Sequence, residues 1–126
     1  IEAYNKAISI KPDYYIALNN RGTAKLNLND FAGAIADFDA ALKIKPNYIL
    51  AINNMASAYI KKKDYKAATE WANKAIQADA KLAAAYVNRG IAKQMLKDEE
   101  GACADWKKAA EYGSAEGKRY ISGFCD

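Results

Sequence analysis

Shifted by 34 residues, the chain falls on itself without a gap. Ile-Lys-Pro at 10–12 meets Ile-Lys-Pro at 44–46. Two periods apart, Asn20-Arg21-Gly22-x-Ala24-Lys25 meets Asn88-Arg89-Gly90-x-Ala92-Lys93, and Gly33-Ala34-x-x-Asp37-Phe38 meets Gly101-Ala102-x-x-Asp105-Trp106. Asp30, Asp64 and Asp98 recur at the same interval, as do Ala34, Ala68 and Ala102, and Ala7, Ala41, Ala75 and Ala109. A fixed period of this length implies units that cannot bury their own apolar faces and must stack on their neighbours.

Within each period the pattern reads helix, turn, helix. Alanine, the best helix former, occurs 27 times in 126 residues, and there are only two prolines to interrupt helices. The reading predicts an all-α chain with helices near 1–10, 14–27, 31–44, 48–61, 65–78, 82–96, 99–112 and 115–124. Asp30, Asp64 and Asp98 fall where a side-chain oxygen caps the second helix of each pair. Pro12 and Pro46 end the preceding helices, with Asp13 and Asn47 placed to start the next ones. Small residues at 22, 34, 68, 90 and 102 imply close approach of helix backbones, with Ala56 in the glycine place of the middle repeat. Leu18, Ile52, Tyr86, Phe38 and Trp106 are the large residues that fill the gaps.

These residues resemble the tetratricopeptide repeat, whose signature is W-x2-L-G-x2-Y, then A-x3-F, then P. The resemblance covers a half repeat at 1–14, full repeats at 15–48, 49–82 and 83–116, and a capping helix at 115–124, as one domain belonging to a longer chain. It implies a right-handed superhelical solenoid of antiparallel helix pairs, with a concave groove lined by the first helices. Some positions depart from the family pattern: Arg21 and Arg89 replace its Leu, Lys25 and Lys93 its Tyr, and Ala80 and Ser114 its Pro, while Ala72 is undersized.

Histidine is absent, which excludes Ser-His-Asp and Cys-His nucleophiles and histidine zinc sites. Two cysteines cannot complete a four-thiolate site. No constellation of catalytic, cofactor-binding or metal-ligating residues is present, so the expectation is a binding module and not an enzyme. The net charge of +4 is spread along the chain, unlike the clustered basic face of a nucleic-acid binder. No apolar run approaches a membrane span. Lys61-Lys62-Lys63 ends a first helix and Asp98-Glu99-Glu100 opens a second one, so each run suits the local helix dipole.

The departures from the family pattern are correlated inside the chain. The repeats with Arg21 and Arg89 carry Asp37 and Asp105 on the partner helix, whereas the middle repeat has Met55 and Trp71 at those two places. This predicts structural Arg–Asp pairs between the helices of one repeat. Asn20, Asn54 and Asn88 recur once per repeat, with Asn19 and Asn53 beside two of them. In the resemblance these face the groove, where carboxamides bond an extended peptide backbone, or else they bond neighbouring helices.

The rest of the expected groove is Ile16, Thr23, Leu26 and Asn27, then Leu50, Ser57, Ile60 and Lys61, then Ala84, Val87, Ile91 and Gln94. Family members that grip chaperone C-termini use a carboxylate clamp. Here Asn19, Ala84 and Asn88 stand where that clamp needs basic residues, so the implied ligand is an apolar or neutral extended segment. Cys103 and Cys125 lie at similar distances either side of the turn near Gly113-Ser114. They form either a disulfide tying down the last helix, which implies an extracytoplasmic compartment, or two reduced thiols. Tyr120, Ile121 and Phe124 are expected to cover the final repeat, with Lys118, Arg119 and Ser122 facing water. Ile1, Tyr4 and Ile8 are expected to present an uncovered apolar face that promotes self-association. The function expected is a protein-interaction scaffold, or alternatively a structural array that mediates oligomerisation.

Overall fold

The structure, a computed structural model, describes residues 14–125. The helix expected over 1–10, its apolar face of Ile1, Tyr4 and Ile8, and the helix start at Asp13 lie outside the described residues. Seven helices follow: α1 (Tyr15–Asn27), α2 (Phe31–Ile44), α3 (Ile49–Lys61), α4 (Tyr65–Ala78), α5 (Ala83–Met95), α6 (Glu99–Glu111) and α7 (Ala115–Phe124). No strand occurs among the described residues.

The second helices start as the sequence predicts. The carboxylates of Asp30, Asp64 and Asp98 accept from the backbone N–H of Gly33, Ala67 and Gly101 at 3.0, 3.3 and 3.0 Å. Each satisfies one of the donors that a helix start leaves free. The first helices differ from expectation: Tyr14, Tyr48 and Leu82 precede them, and none makes a side-chain cap. Asn47 does not start α3, because Tyr48 N–H bonds back to Lys45 O and encloses Asn47 in the turn. Tyr48 O then accepts from both Ala51 and Ile52, so the backbone closes the first turn by itself. Lys45 is extended ahead of Pro46, which stops α2 at Ile44.

Each pair crosses with matched volumes. A Cβ at Gly22 would lie 2.6 Å from Phe38 Cε1, and one at Gly90 would lie 2.6 Å from Trp106 Cδ1. Space at these glycines is therefore taken by the partner's ring, and not by the partner's backbone as the sequence suggested. In the middle pair Ala56 and Ala72 are both fully buried, so the small partner residue goes with a larger one at the glycine place. Trp71 and Tyr59 fill the remaining volume around Met55. Leu42 packs against three successive core clusters and Ile76 against two, which joins the local cores into one.

The first helices α1, α3 and α5 touch one another in succession, and the second helices make no comparable contact. The array therefore curves with the first helices inside. At the far end α7 lies against α6. A Cβ on buried Gly117 would come within 2.9 Å of Ala110 N and Trp106 O, so only glycine lets α7 sit this close. Tyr120 stacks on Trp106 with ring centroids 5.0 Å apart, and Lys118, Arg119 and Ser122 are exposed. Phe124 contacts the Trp106 ring at 5.8 Å but is 60% exposed, so it rims the final repeat more than it covers it. A Cys103–Cys125 disulfide joins α6 to the residue after α7, with Cα atoms 5.9 Å apart.

Two outcomes follow from this packing. Gly90→Ala is expected to destabilise the fold by about 1–3 kcal/mol through overpacking against Trp106. In urea melts the double variant Gly90→Ala/Trp106→Leu should cost less than the sum of the two single changes. Replacing both cysteines by serine should lower stability by about 3 kcal/mol, since the bond closes a loop of some 20 residues. Titration of the denatured, unreduced protein should find no free thiol, and two free thiols would contradict the bridge.

Candidate functional site

Two charged triads hold the first helices at fixed rotation. Arg21 forks onto Asp37, with Nε to Oδ2 at 2.8 Å and Nη2 to Oδ1 at 2.7 Å. Arg89 does the same with Asp105 at 2.9 and 2.7 Å. Both carboxylates are buried, at 4% and 3% exposure. A second cation reaches each of them, Lys25 Nζ at 3.2 Å from Asp37 and Lys93 Nζ at 3.1 Å from Asp105. Arg89 also donates to Asn73 Oδ1 at 3.1 Å, which links α5 to the preceding pair.

Hydrogen bonding to Asp37 and Asp105 raises the pKa of Arg21 and Arg89 above the ordinary value. A raised value means that the arginine side of each pair stabilises the fold fully at neutral pH, and that this is lost only in strong alkali. Lys25 and Lys93 were missed as pair members by sequence reasoning. The signal available was their place four residues after each arginine, on the same helix face. In the middle repeat the three places become Met55, Tyr59 and Trp71, and all three share one apolar cluster.

The asparagines form a network that runs from helix to helix along the inner face. Asn54 Nδ2 donates to Asn19 Oδ1 at 2.9 Å and lies 3.5 Å from Thr23 Oγ1. One repeat on, Asn88 Nδ2 donates to Asn53 Oδ1 and to Ser57 Oγ, both at 3.2 Å. Thr23 Oγ1 donates in turn to Asn19 O at 3.0 Å. The amide N–H groups of Asn54 and Asn88 are thus used between helices, and their Oδ1 atoms keep free acceptor positions. Asn20 is exposed and makes no such bond. Asn19 is buried, so it serves Asn54 from inside the array and is not open surface.

Of the other expected groove residues, Ile16, Asn27, Leu50, Lys61 and Ala84 are exposed, and Ile60, Ile91 and Gln94 are half-buried. Leu26 does not belong to the groove. It is buried in the core with Phe38 and Met55, whereas Asn27 beside it is exposed. Val87 is also buried, but it lines a hollow of about 430 Å³ that opens on the inner face between α3, α5 and the α6–α7 turn. Tyr112, Gly113, Ser114 and Glu116 form the far wall of that hollow. The repeat spacing did not mark them as groove residues, because they come from the end of α6, the turn after it and the first turn of α7. Ser114, which stands in place of the closing Pro, caps α7 by accepting from Gly117 N–H at 3.0 Å. Among the described residues no helix is long and apolar enough to cross a membrane.

Models of the tetratricopeptide repeat match residues 15–48 and 50–82. No curated protein matches the sequence. Among solved structures the chain is similar to the Sgt2 TPR domain from Aspergillus fumigatus, at 27% identity over 87% of this chain and 76% of that one, with a TM-score of 0.83. It is also similar to the first TPR of Spaghetti (RPAP3), solved bound to the HSP90 peptide SRMEEVD, at 22% identity over 87% and 89% of the two chains and a TM-score of 0.82. A double mutant of MamA shares 23% identity over 96% and 69%, with a TM-score of 0.84.

Substituting Arg89 by Leu is expected to cost about 1–3 kcal/mol, short of a fully stranded buried charge, because Lys93 still faces Asp105. Combining it with Lys93→Met should cost more than the two single changes added together. An unchanged denaturation midpoint for Arg89→Leu would show that Asp105 does not depend on that arginine.

Proposed function

The chain belongs to the tetratricopeptide repeat family, and on that premise we propose that its inner face holds an extended peptide of a protein partner, making it a protein-interaction scaffold. One observation carries the reading. The inner helices present carboxamides at one place per repeat, two of them held rigidly by their neighbours with acceptor oxygens to spare. An extended peptide has backbone N–H donors along its length and suits such a series of acceptors. Exposed Ile16 and Leu50, at equivalent places of successive repeats, add apolar contact for its side chains. Groups locked before binding lose little freedom on binding, which favours affinity.

Electrostatics narrow the ligand. Arg21, Lys25, Arg89 and Lys93 are engaged with Asp37 and Asp105. Positions 19, 84 and 88 carry Asn, Ala and Asn. An acidic peptide like the one held by the RPAP3 domain would find no arginine or lysine at those three places. A neutral, apolar or basic segment fits better. The reading requires no chemistry from the chain beyond presenting this surface.

A peptide-array screen tests it. The Asn20→Ala/Asn54→Ala/Asn88→Ala variant should lose peptide capture by more than tenfold while keeping its helical circular dichroism. A stability loss of about 1 kcal/mol per tied asparagine is expected, since Asn19 and Asn53 lose a donor. Asn20→Ala alone should melt like the wild type. Full retention of capture by the folded triple variant would refute the groove.

A further inference from the structure

The hollow at the far end of the inner face arises from a change between repeats. Where α3 begins with Ile49 and Leu50, α5 begins with Ala83 and Ala84. The missing volume opens a space of about 430 Å³, within the range of sites that hold ligand groups. Ala83, Ala84, Val87 and Tyr112 supply its apolar lining, and Asn53, Ser57, Asn88, Ser114 and Glu116 its polar lining.

The one charged group in the lining is the Glu116 carboxylate, an acceptor, beside the amides and hydroxyls of Asn53, Ser57, Asn88 and Ser114. Both N–H bonds of Asn88 are committed, to Asn53 and Ser57, so its Oδ1 is the atom left to offer. Glu116 is exposed and makes no ion pair among the described residues, and no arginine or lysine lines the hollow. The basic residues of α5 turn away to Asp105. The starts of α5 and α7 border the space, but a helix start carries at most about half a positive charge, against the full charge of a carboxylate. Gly117 fixes where that carboxylate stands, because its missing side chain seats the first turn of α7 on α6.

We propose that this hollow is an anchor site for one basic side chain, arginine or lysine, of a peptide bound along the inner face. An aliphatic stem lies against Ala84, Val87 and Tyr112, and the cationic head meets Glu116 and Asn88 Oδ1. A long basic side chain combines an apolar body for that aliphatic lining with a cationic tip for the Glu116 carboxylate. The proposal rests on the reading of the inner face as a peptide groove and adds the residue class that gives it register.

The test is a positional-scanning array of hexapeptides, acetylated and amidated at their ends, probed with the wild type, Glu116→Gln and Ala84→Leu. Leucine is the residue at the equivalent place in the preceding repeat, so α5 can carry it, and circular dichroism checks that both variants fold. The expected result is selection of Arg or Lys at one peptide position. Glu116→Gln should weaken the selected peptides about fivefold, the upper scale of a partly exposed ion pair. Ala84→Leu should abolish the positional preference by filling the space. Capture of peptides without a basic preference, unaffected by Glu116→Gln, would overturn the anchor and leave the groove standing. Selection for an acidic residue would overturn it as well. No capture of any peptide by the wild type would remove both.

Discussion

The crossing of the two helices within each repeat depends on the joint volume of two side chains, and the other features of the array follow from it. Gly22 with Phe38 and Gly90 with Trp106 place a ring directly on a backbone, while Ala56 with Ala72 divides the space evenly. In the middle pair the volume moves to Trp71 and Tyr59, which is also where the charged triads of the outer pairs are replaced by apolar residues. Packing and charge therefore change together. Either solution holds a first helix at one rotation, and the inner face keeps its polar residues aligned because that rotation is preserved from repeat to repeat.

The two triads also determine what the inner face can attract. Four cations reach two buried carboxylates, and each aspartate is more fully compensated than a single pair would allow. Two of the four positive charges on α1 and α5 are consequently balanced inside the array, and all four cations are held at the carboxylates. What faces inward is mainly carboxamide, hydroxyl and aliphatic surface, and a peptide held there as proposed would be chosen by hydrogen bonding and fit more than by long-range steering. Glu116 is set apart from this neutral surface, and it comes from the last helix and not from a repeat-equivalent place on a first helix.

Much of this was legible in the residues, for identifiable reasons. The period placed every described helix within about a residue of its observed ends, because the same aspartate cap and the same turn recur at fixed intervals. The Arg–Asp pairs were readable because the chain substitutes both members together at 55 and 71. First-helix starts were less legible: Asn47 has cap chemistry, but the backbone of Tyr48 closes the turn first. The asparagine spacing left groove surface and helix-to-helix bonding both open, and Asn54 bonds the neighbouring helix through Asn19. Leu26 and Asn27 are neighbours about 100° apart around a helix end, and that single step separates a buried residue from an exposed one. The wall built by Tyr112, Ser114 and Glu116 has no local signature, since it forms where the α6–α7 turn meets residues at the start of α5.

The bond between Cys103 and Cys125 has a mechanical meaning. It connects the backbone just after α7 to a residue near the start of α6, bypassing the last helix and the part of α6 that follows Cys103. Tension applied to the chain beyond Cys125 would enter α6 directly at Cys103. The short, glycine-bearing α7 and the rest of α6 would then lie in a loop outside the line of force, so pulling at that end loads the start of α6 before it can peel the helix that closes the array.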